Sequence, residues 1–204
     1  MLRSALALSA VTGRPFRMFS VRARRDKPGL RPQHLESVLA VAQVCGARIA
    51  GAEIGSQELV FEPGPPVAGE YRFEIKTAGS TGLLLHAVYL PLAFAGARSR
   101  VTIVGGTHVN WSPSYHYLAW QWAPALAGAG LRVRLWLERC GFYPAGGGEI
   151  MAEIARLTPT FAGVTYEKLD RLGSVQWPCN EKAPEGTPTM HVDGFVRGKG
   201  RFMI

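Results

Sequence analysis

Acid is nearly missing from the first sixth of this 204-residue chain. Residues 1–35 hold eight arginines or lysines against Asp26 alone, a local charge of +7. The remainder holds fifteen basic residues against fourteen acidic ones, so almost all of the formal +8 sits at one end. Cysteine is scarce as well. Cys45, Cys140 and Cys179 are far apart and form no C-x-x-C pair, which excludes a disulfide framework or a zinc knuckle and suits a reduced, intracellular chain. Long apolar runs are also missing. The longest, "GLLLHAVYLPLAFAGA", is too short to span a bilayer and carries His86 and Pro91, so it reads as a buried helix and no membrane partner is expected. The glycine-rich "AGGGE" lacks a following Lys-Ser/Thr and is a strand turn, not a phosphate-binding P-loop.

What is present is an apolar fraction of 47%, enough for a packed core, and a charge distribution that attracts polyanions. The excess is concentrated in "RARRDKPGLRPQHL", residues 22–35, where Arg22, Arg24, Arg25, Lys27 and Arg31 are interrupted by Pro28, Gly29 and Pro32. An acid-free, arginine-bearing start also has the composition of a mitochondrial presequence, a minor alternative to a cytoplasmic location.

An internal repeat organises the chain. Residues 2–13 have helical spacing and stop at Gly13; "RPFRMFSVRA" is strand-like; the basic loop follows; "PQHLESVLAVAQVCGA" is a second helix; "RIAGAEIG" and "QELVFEP" are short strands. After the connector "EPGPPVAGE" the order recurs. "STGLLLHAVYLPLAFAGA" is a helix, "SRVTIVGG" a strand and "THVNWSPS" a loop. A helix over 113–130 follows, with Ser112 as N-cap and Pro113 in the first turn, and then "LRVRLWLERCGFYP" and "EIMAEI" as strands. The expected architecture is α+β, two helix–strand–helix–strand–strand units over 1–66 and 67–155 with helices on one face of each sheet, followed by an irregular tail over 156–204.

These segments carry a resemblance. "LRSALALSAVTGRPF", "VRARRDKPGLRPQHL", "AQVCGARIAGAEIGSQELVFEPG", "TAGST", "SRVTIVGGTHVNWSPSYHYL" and "RCGFYPAGGGE" together resemble the RNA 3′-terminal phosphate cyclase family over roughly residues 2–154. The resemblance implies a ligase-type enzyme of RNA processing that uses ATP, with Mg²⁺ or Mn²⁺, to convert an RNA 3′-phosphate into a 2′,3′-cyclic phosphate through a histidine-AMP intermediate. It implies that Arg22, Arg25, Gln33 and Arg3 face RNA or nucleotide phosphates, and that RNA 3′ ends are the partner of the basic loop. A guanidinium suits that task because its planar fork of donors matches phosphate oxygens.

Pro113 matches a family position against the adenine, and helix initiation accounts for it equally. His86 stands where the family often has a glutamine near the nucleotide; the other reading is a satisfied core histidine. Tyr115, Tyr117, Trp120 and Trp122 cover several faces of one helix and read as core packing before base stacking.

The resemblance also implies absences. The family's opening strand and glycine-rich loop have no match before Leu2. None of His34, His86, His108, His116 and His191 matches the family nucleophile, so no catalytic residue and no metal ligand is assigned, and the chain is expected to be inactive alone. The tail, in "LTPTFAGVTYEKL", "QWPCN" and "GTPTMHVDGFVRGKGRF", resembles a segment of molybdopterin-dependent formate dehydrogenase, a chimera joined near Ala155. It carries none of the metal-ligating segments of that enzyme, so molybdopterin is not expected.

Overall fold

The computed structural model describes residues 1–157. The tail over 158–204, with Cys179 and His191, lies outside the described residues.

The basic segment is preceded by helix α1 (Leu2–Thr12) and strand β1 (Phe16–Met18) and followed by helix α2 (Pro32–Cys45), strand β2 (Arg48–Ala50) and strand β3 (Leu59–Glu62). Helix α2 starts where the sequence suggests, because Pro32 occupies its first turn with no backbone N–H to leave unpaired. It stops at Gly46, whose φ of 58° is a left-handed conformation that costs glycine nothing. The three strands form an antiparallel sheet in the order β1-β3-β2.

The second half begins with a strand that the hydrophobic pattern did not reveal, β4 (Glu70–Glu74). Its sequence, EYRFE, alternates correctly but follows directly on the Pro/Gly connector, and only Phe73 is fully buried, with Tyr71 half-buried against the core. Then come α3 (Thr81–Ala93), β5 (Ser99–Gly105), a short helix α4 (Tyr115–Tyr117), a π-helical stretch over Leu118–Trp122, α5 (Ala123–Gly128), β6 (Val133–Arg139) and β7 (Gly148–Ile154). The sheet order is β4-β5-β7-β6, with β4 parallel to β5 and the other pairs antiparallel. Without β4 this is the order of the first sheet: the strand between the helices at one edge, the last strand in the middle, the penultimate strand at the other edge.

One local expectation is corrected. The helix expected over 113–130 starts two residues later. Ser114, not Ser112, is the N-cap: its hydroxyl accepts the Tyr117 N–H at 3.3 Å, while the Ser112 hydroxyl donates to the Val109 carbonyl at 2.9 Å. Pro113 therefore precedes the cap, and the helix is interrupted by one π-helical stretch, a feature that recurs at functional sites.

Helices α1, α2 and α3 pack on one another, and Leu6, Val38, Val41, Leu85 and Val88 share one core with Phe61 of the first sheet and Ile103 and Ile150 of the second. Helix α3 is apolar almost all round, as its sequence implied, because it lies between the other helices and the second sheet. Among the described residues no helix is long and apolar enough to cross a membrane.

Candidate functional site

The basic loop is pinned rather than free. Val21 and Leu30, the apolar residues at its two ends, are buried. Val21 N–H donates to the Gln57 carbonyl at 3.1 Å, Gly29 N–H to the Val21 carbonyl at 2.7 Å and Leu30 N–H to the Ser56 carbonyl at 2.9 Å. Gly29 has a φ of 80° and lies so close to the Gly55 backbone that a Cβ would overlap it, so no other residue closes the loop this way. Inside the clasp Arg22 adopts a φ of 55°, a left-handed conformation that a long side chain seldom takes and that turns it toward the helices.

Among the described residues six arginines elsewhere are paired, while Arg14, Arg132, Arg134 and Arg156 are not. Arg17 meets Glu58 at 2.9 Å, Arg48 meets Glu62 at 2.9 Å and Arg72 meets Glu149 at 3.2 Å, all on the outer faces of the sheets. Arg3, Arg22, Arg24, Arg25 and Arg31 have no carboxylate within ion-pair distance among the described residues.

Four side chains also carry a buried nitrogen with no hydrogen-bond partner among the described residues: Nε of Arg3, Nη1 of Arg22, Nε2 of Gln33 and Nε2 of His86. Each such group costs about 1–3 kcal/mol in a folded protein. Three of the four are donors only. An acceptor-rich anion such as a phosphate group has the chemistry to satisfy donors of this kind.

The surrounding electrostatics agree. His34 stands between these groups, and its pKa falls to about 4 because of burial first and then the Arg3, Arg22 and Arg31 charges. Burial and Arg3 likewise hold His86 below its ordinary value, and burial pulls the Arg3 guanidinium below its own. Arg3 on α1, Arg22 on the loop, Gln33 and His34 at the start of α2 and His86 on α3 therefore belong to one positive locus where the three helices meet. Arg25 lies exposed on the outer side of the loop. The His86 ring packs on Trp122 at 4.9 Å, and its Nε2 finds no hydrogen-bond partner among the described residues.

A cleft of about 420 Å³ opens from Gln33 between the start of α3 and the loop after β5, lined by Ala78, Ser80, Leu83, Val109, Asn110, Trp111, Ser112 and Tyr143. Buried Ser80 shapes its floor by capping α3, its hydroxyl accepting the Leu83 N–H at 3.2 Å. Pro113 packs beside the cleft on Gly82, where a Cβ would sit 3.4 Å from the proline ring. Trp111 is 100% exposed and has a φ of 62°, and Tyr143 is 79% exposed, so two aromatic faces stand in water at the rim. Neither was singled out by sequence pattern, because an isolated aromatic in a loop has no periodicity to betray it. Of the four aromatics read as core, Tyr115 and Trp122 do pack against it, whereas Tyr117 and Trp120 are exposed.

The fold and these features define a class: an α+β protein with buried, unpaired guanidinium and amide donors among the described residues and a cleft that Gln33 lines. The family model for RNA 3′-terminal phosphate cyclase matches residues 1–196 of the chain, beyond the junction read near Ala155. This chain belongs to the RNA 3′-terminal phosphate cyclase family. An RNA 3′-terminal phosphate cyclase of Pseudomonas fluorescens is 50% identical over 186 residues, covering 90% of this chain and 54% of the relative. Those of Ralstonia nicotianae and Salmonella agona are each 52% identical, over 153 and 147 residues, covering 75% and 72% of this chain and 44% and 43% of the relatives. The chain thus spans about half the length of the curated relatives it matches.

Proposed function

We propose that this chain is the phosphate-gripping part of an RNA 3′-terminal phosphate cyclase. It holds a terminal RNA phosphate and a nucleotide, with ATP as the nucleotide that the family reaction supplies. The observation that supports this reading is that Arg3, Arg22 and Gln33 each hold a buried nitrogen with no partner among the described residues, while the charges of Arg3 and Arg22 both act on His34 beside Gln33. In this reading Arg22 and Arg3 neutralise and orient the phosphate, Gln33 donates at the head of the cleft, and the aliphatic side of Pro113 supports a base whose outer face Trp111 and Tyr143 shield. Arg25 contributes field and not contact. When bound, ATP would supply the adenylyl group of the family reaction, and the residues named here would hold and orient its phosphates.

The test is affinity for a short oligoribonucleotide ending in 3′-phosphate against the same sequence ending in 3′-hydroxyl. The phosphate end is expected to bind about tenfold or more tightly, the worth of one or two charge-assisted hydrogen bonds. Equal affinity would remove the reading.

We further propose that the chain by itself does not form the covalent histidine adduct. A histidine attacks phosphorus with an exposed lone pair. His34 spends its Nδ1 lone pair on the Arg31 N–H at 3.2 Å, and the resemblance matches none of His34, His86, His108, His116 and His191 to the family nucleophile. After incubation with ATP labelled at the α-phosphate, the denatured chain is expected to carry no label; stable label on a histidine would refute this. The likeness of 156–204 to a formate dehydrogenase segment adds no redox role to the proposal, which rests on residues 1–157.

A further inference from the structure

We infer that His108 and His116 form a two-imidazole binding site for a divalent transition-metal ion of the zinc, nickel and copper group. His108 follows β5 in the loop that lines the cleft, and His116 is the middle residue of α4. The two rings come from different elements and face each other with Nε2 of His108 3.0 Å from Nδ1 of His116. A single ion bonded to both at the usual ~2.05 Å would see them at an angle of roughly 94°, between the octahedral and tetrahedral values.

The rings are held in that attitude. Nδ1 of His108 lies 2.8 Å from the hydroxyl of Thr107, which is itself buried and fixed by accepting the Gly141 N–H at 2.9 Å. With the Thr107 hydroxyl turned to the Gly141 carbonyl at 3.4 Å, His108 Nδ1–H donates to the threonine oxygen and the Nε2 lone pair is directed at His116. This is the outer-shell bond that selects the tautomer of a metal-binding histidine. Phe142 stacks on the His108 ring at 5.4 Å and Trp120 packs on the His116 ring at 4.8 Å, which limits the rotation of both.

Imidazole favours zinc, nickel and copper over magnesium or manganese. No third histidine, cysteine or carboxylate joins the pair among the described residues, so water or an anion's oxygen fills the remaining positions. The site is separate from the arginine locus, and its metal binding does not depend on the function proposed above.

The test uses the full chain and the metal alone. Zinc and nickel are titrated separately by calorimetry in a non-coordinating buffer, and bound metal is counted after dialysis. One ion per chain is expected, unchanged by excess magnesium. His116→Gln, at an exposed position, and His108→Gln are each expected to weaken binding at least tenfold, while His34→Gln and Cys140→Ser leave it unchanged. If His108→Gln fails to fold, His116→Gln decides. No binding, or binding that survives His116→Gln undiminished, overturns the inference.

Discussion

Arg22→Met will weaken binding of a 3′-phosphorylated oligoribonucleotide by roughly ten- to hundredfold and will also make the ligand-free chain more stable. The two effects share one cause. A charge-assisted hydrogen bond from a guanidinium to an anion contributes about 1.5–3 kcal/mol, and this is lost with the side chain. Without ligand, Nη1 of Arg22 is buried with no partner among the described residues, and removing such a group relieves on the order of 1 kcal/mol at a half-exposed residue. In a chain of this size 1 kcal/mol corresponds to about 2–4 °C in Tm. Methionine retains the side-chain length and is no worse than arginine at the φ of 55°, so the backbone contribution cancels. Arg25→Met is the internal control. Arg25 is exposed and has no orphaned nitrogen, so its loss should weaken binding only through the field and should not raise Tm. Salt separates field from contact. With about three phosphates engaged, the log–log salt slope should be roughly −2, and Arg22→Met should flatten it by about 0.7. A less stable Arg22→Met chain that still binds with wild-type affinity and slope would mean that the guanidinium is a structural strut.

The trade between stability and binding explains why some of this site was readable in the sequence and some was not. The loop announced itself by composition: five basic residues, no partner acids apart from Asp26, and Pro and Gly at the bends. Arg3 and Arg22 could be placed by resemblance, but nothing in a linear pattern says that one nitrogen of each is enclosed. That follows from the three-helix junction, which brings residues 3, 22, 33 and 86 together across long separations in sequence. The helices were legible because their apolar residues recur at helical spacing and Gly13 and Gly46 end them. Strand β4 was not, since its pattern is short and follows the connector. The start of α4 was misplaced by two residues because Ser112 and Ser114 are both competent caps, and only the three-dimensional course of the loop after β5 decides between them. The facing imidazoles of His108 and His116 are eight residues apart across a helix boundary, a separation that no helical or strand repeat brings face to face.

His34 should make phosphate binding and folding depend on pH in opposite directions. In the ligand-free chain its pKa of about 4 lies below the ordinary 6.5, because of burial and then the charges of Arg3, Arg22 and Arg31. The neutral ring is also fixed structurally: Nδ1 accepts the N–H of Arg31, the residue before the first turn of α2, and protonation there would remove that acceptor. A group whose folded pKa is depressed in this sense leaves stability unaffected above pH 6.5. Stability falls as the pH drops from 6.5 toward 4, where the unfolded chain takes up the proton and the folded chain does not. The ring is partly open to water, so the loss over that window is on the order of 1–2 kcal/mol after allowance for screening. An anion bound among the same arginines cancels part of their field and raises the His34 pKa, so binding takes up protons. The ligand phosphate also titrates over this range, with a second pKa of about 6, so the reference is His34→Gln: relative to that variant the wild-type chain should gain roughly three- to tenfold in affinity as the pH is lowered from 7 to 5. Calorimetry in buffers of different ionisation enthalpy should register more proton uptake by the wild-type chain than by His34→Gln at pH 5.5 and no difference between them at pH 8. His34→Gln keeps an acceptor near the Arg31 N–H and has no proton to gain, so it should abolish both the uptake and the steeper loss of Tm in acid. Proton uptake that persists in His34→Gln would assign the linkage to another group, and a wild-type chain whose affinity depends on pH no differently from that of His34→Gln would show that the anion does not enter the field that acts on His34.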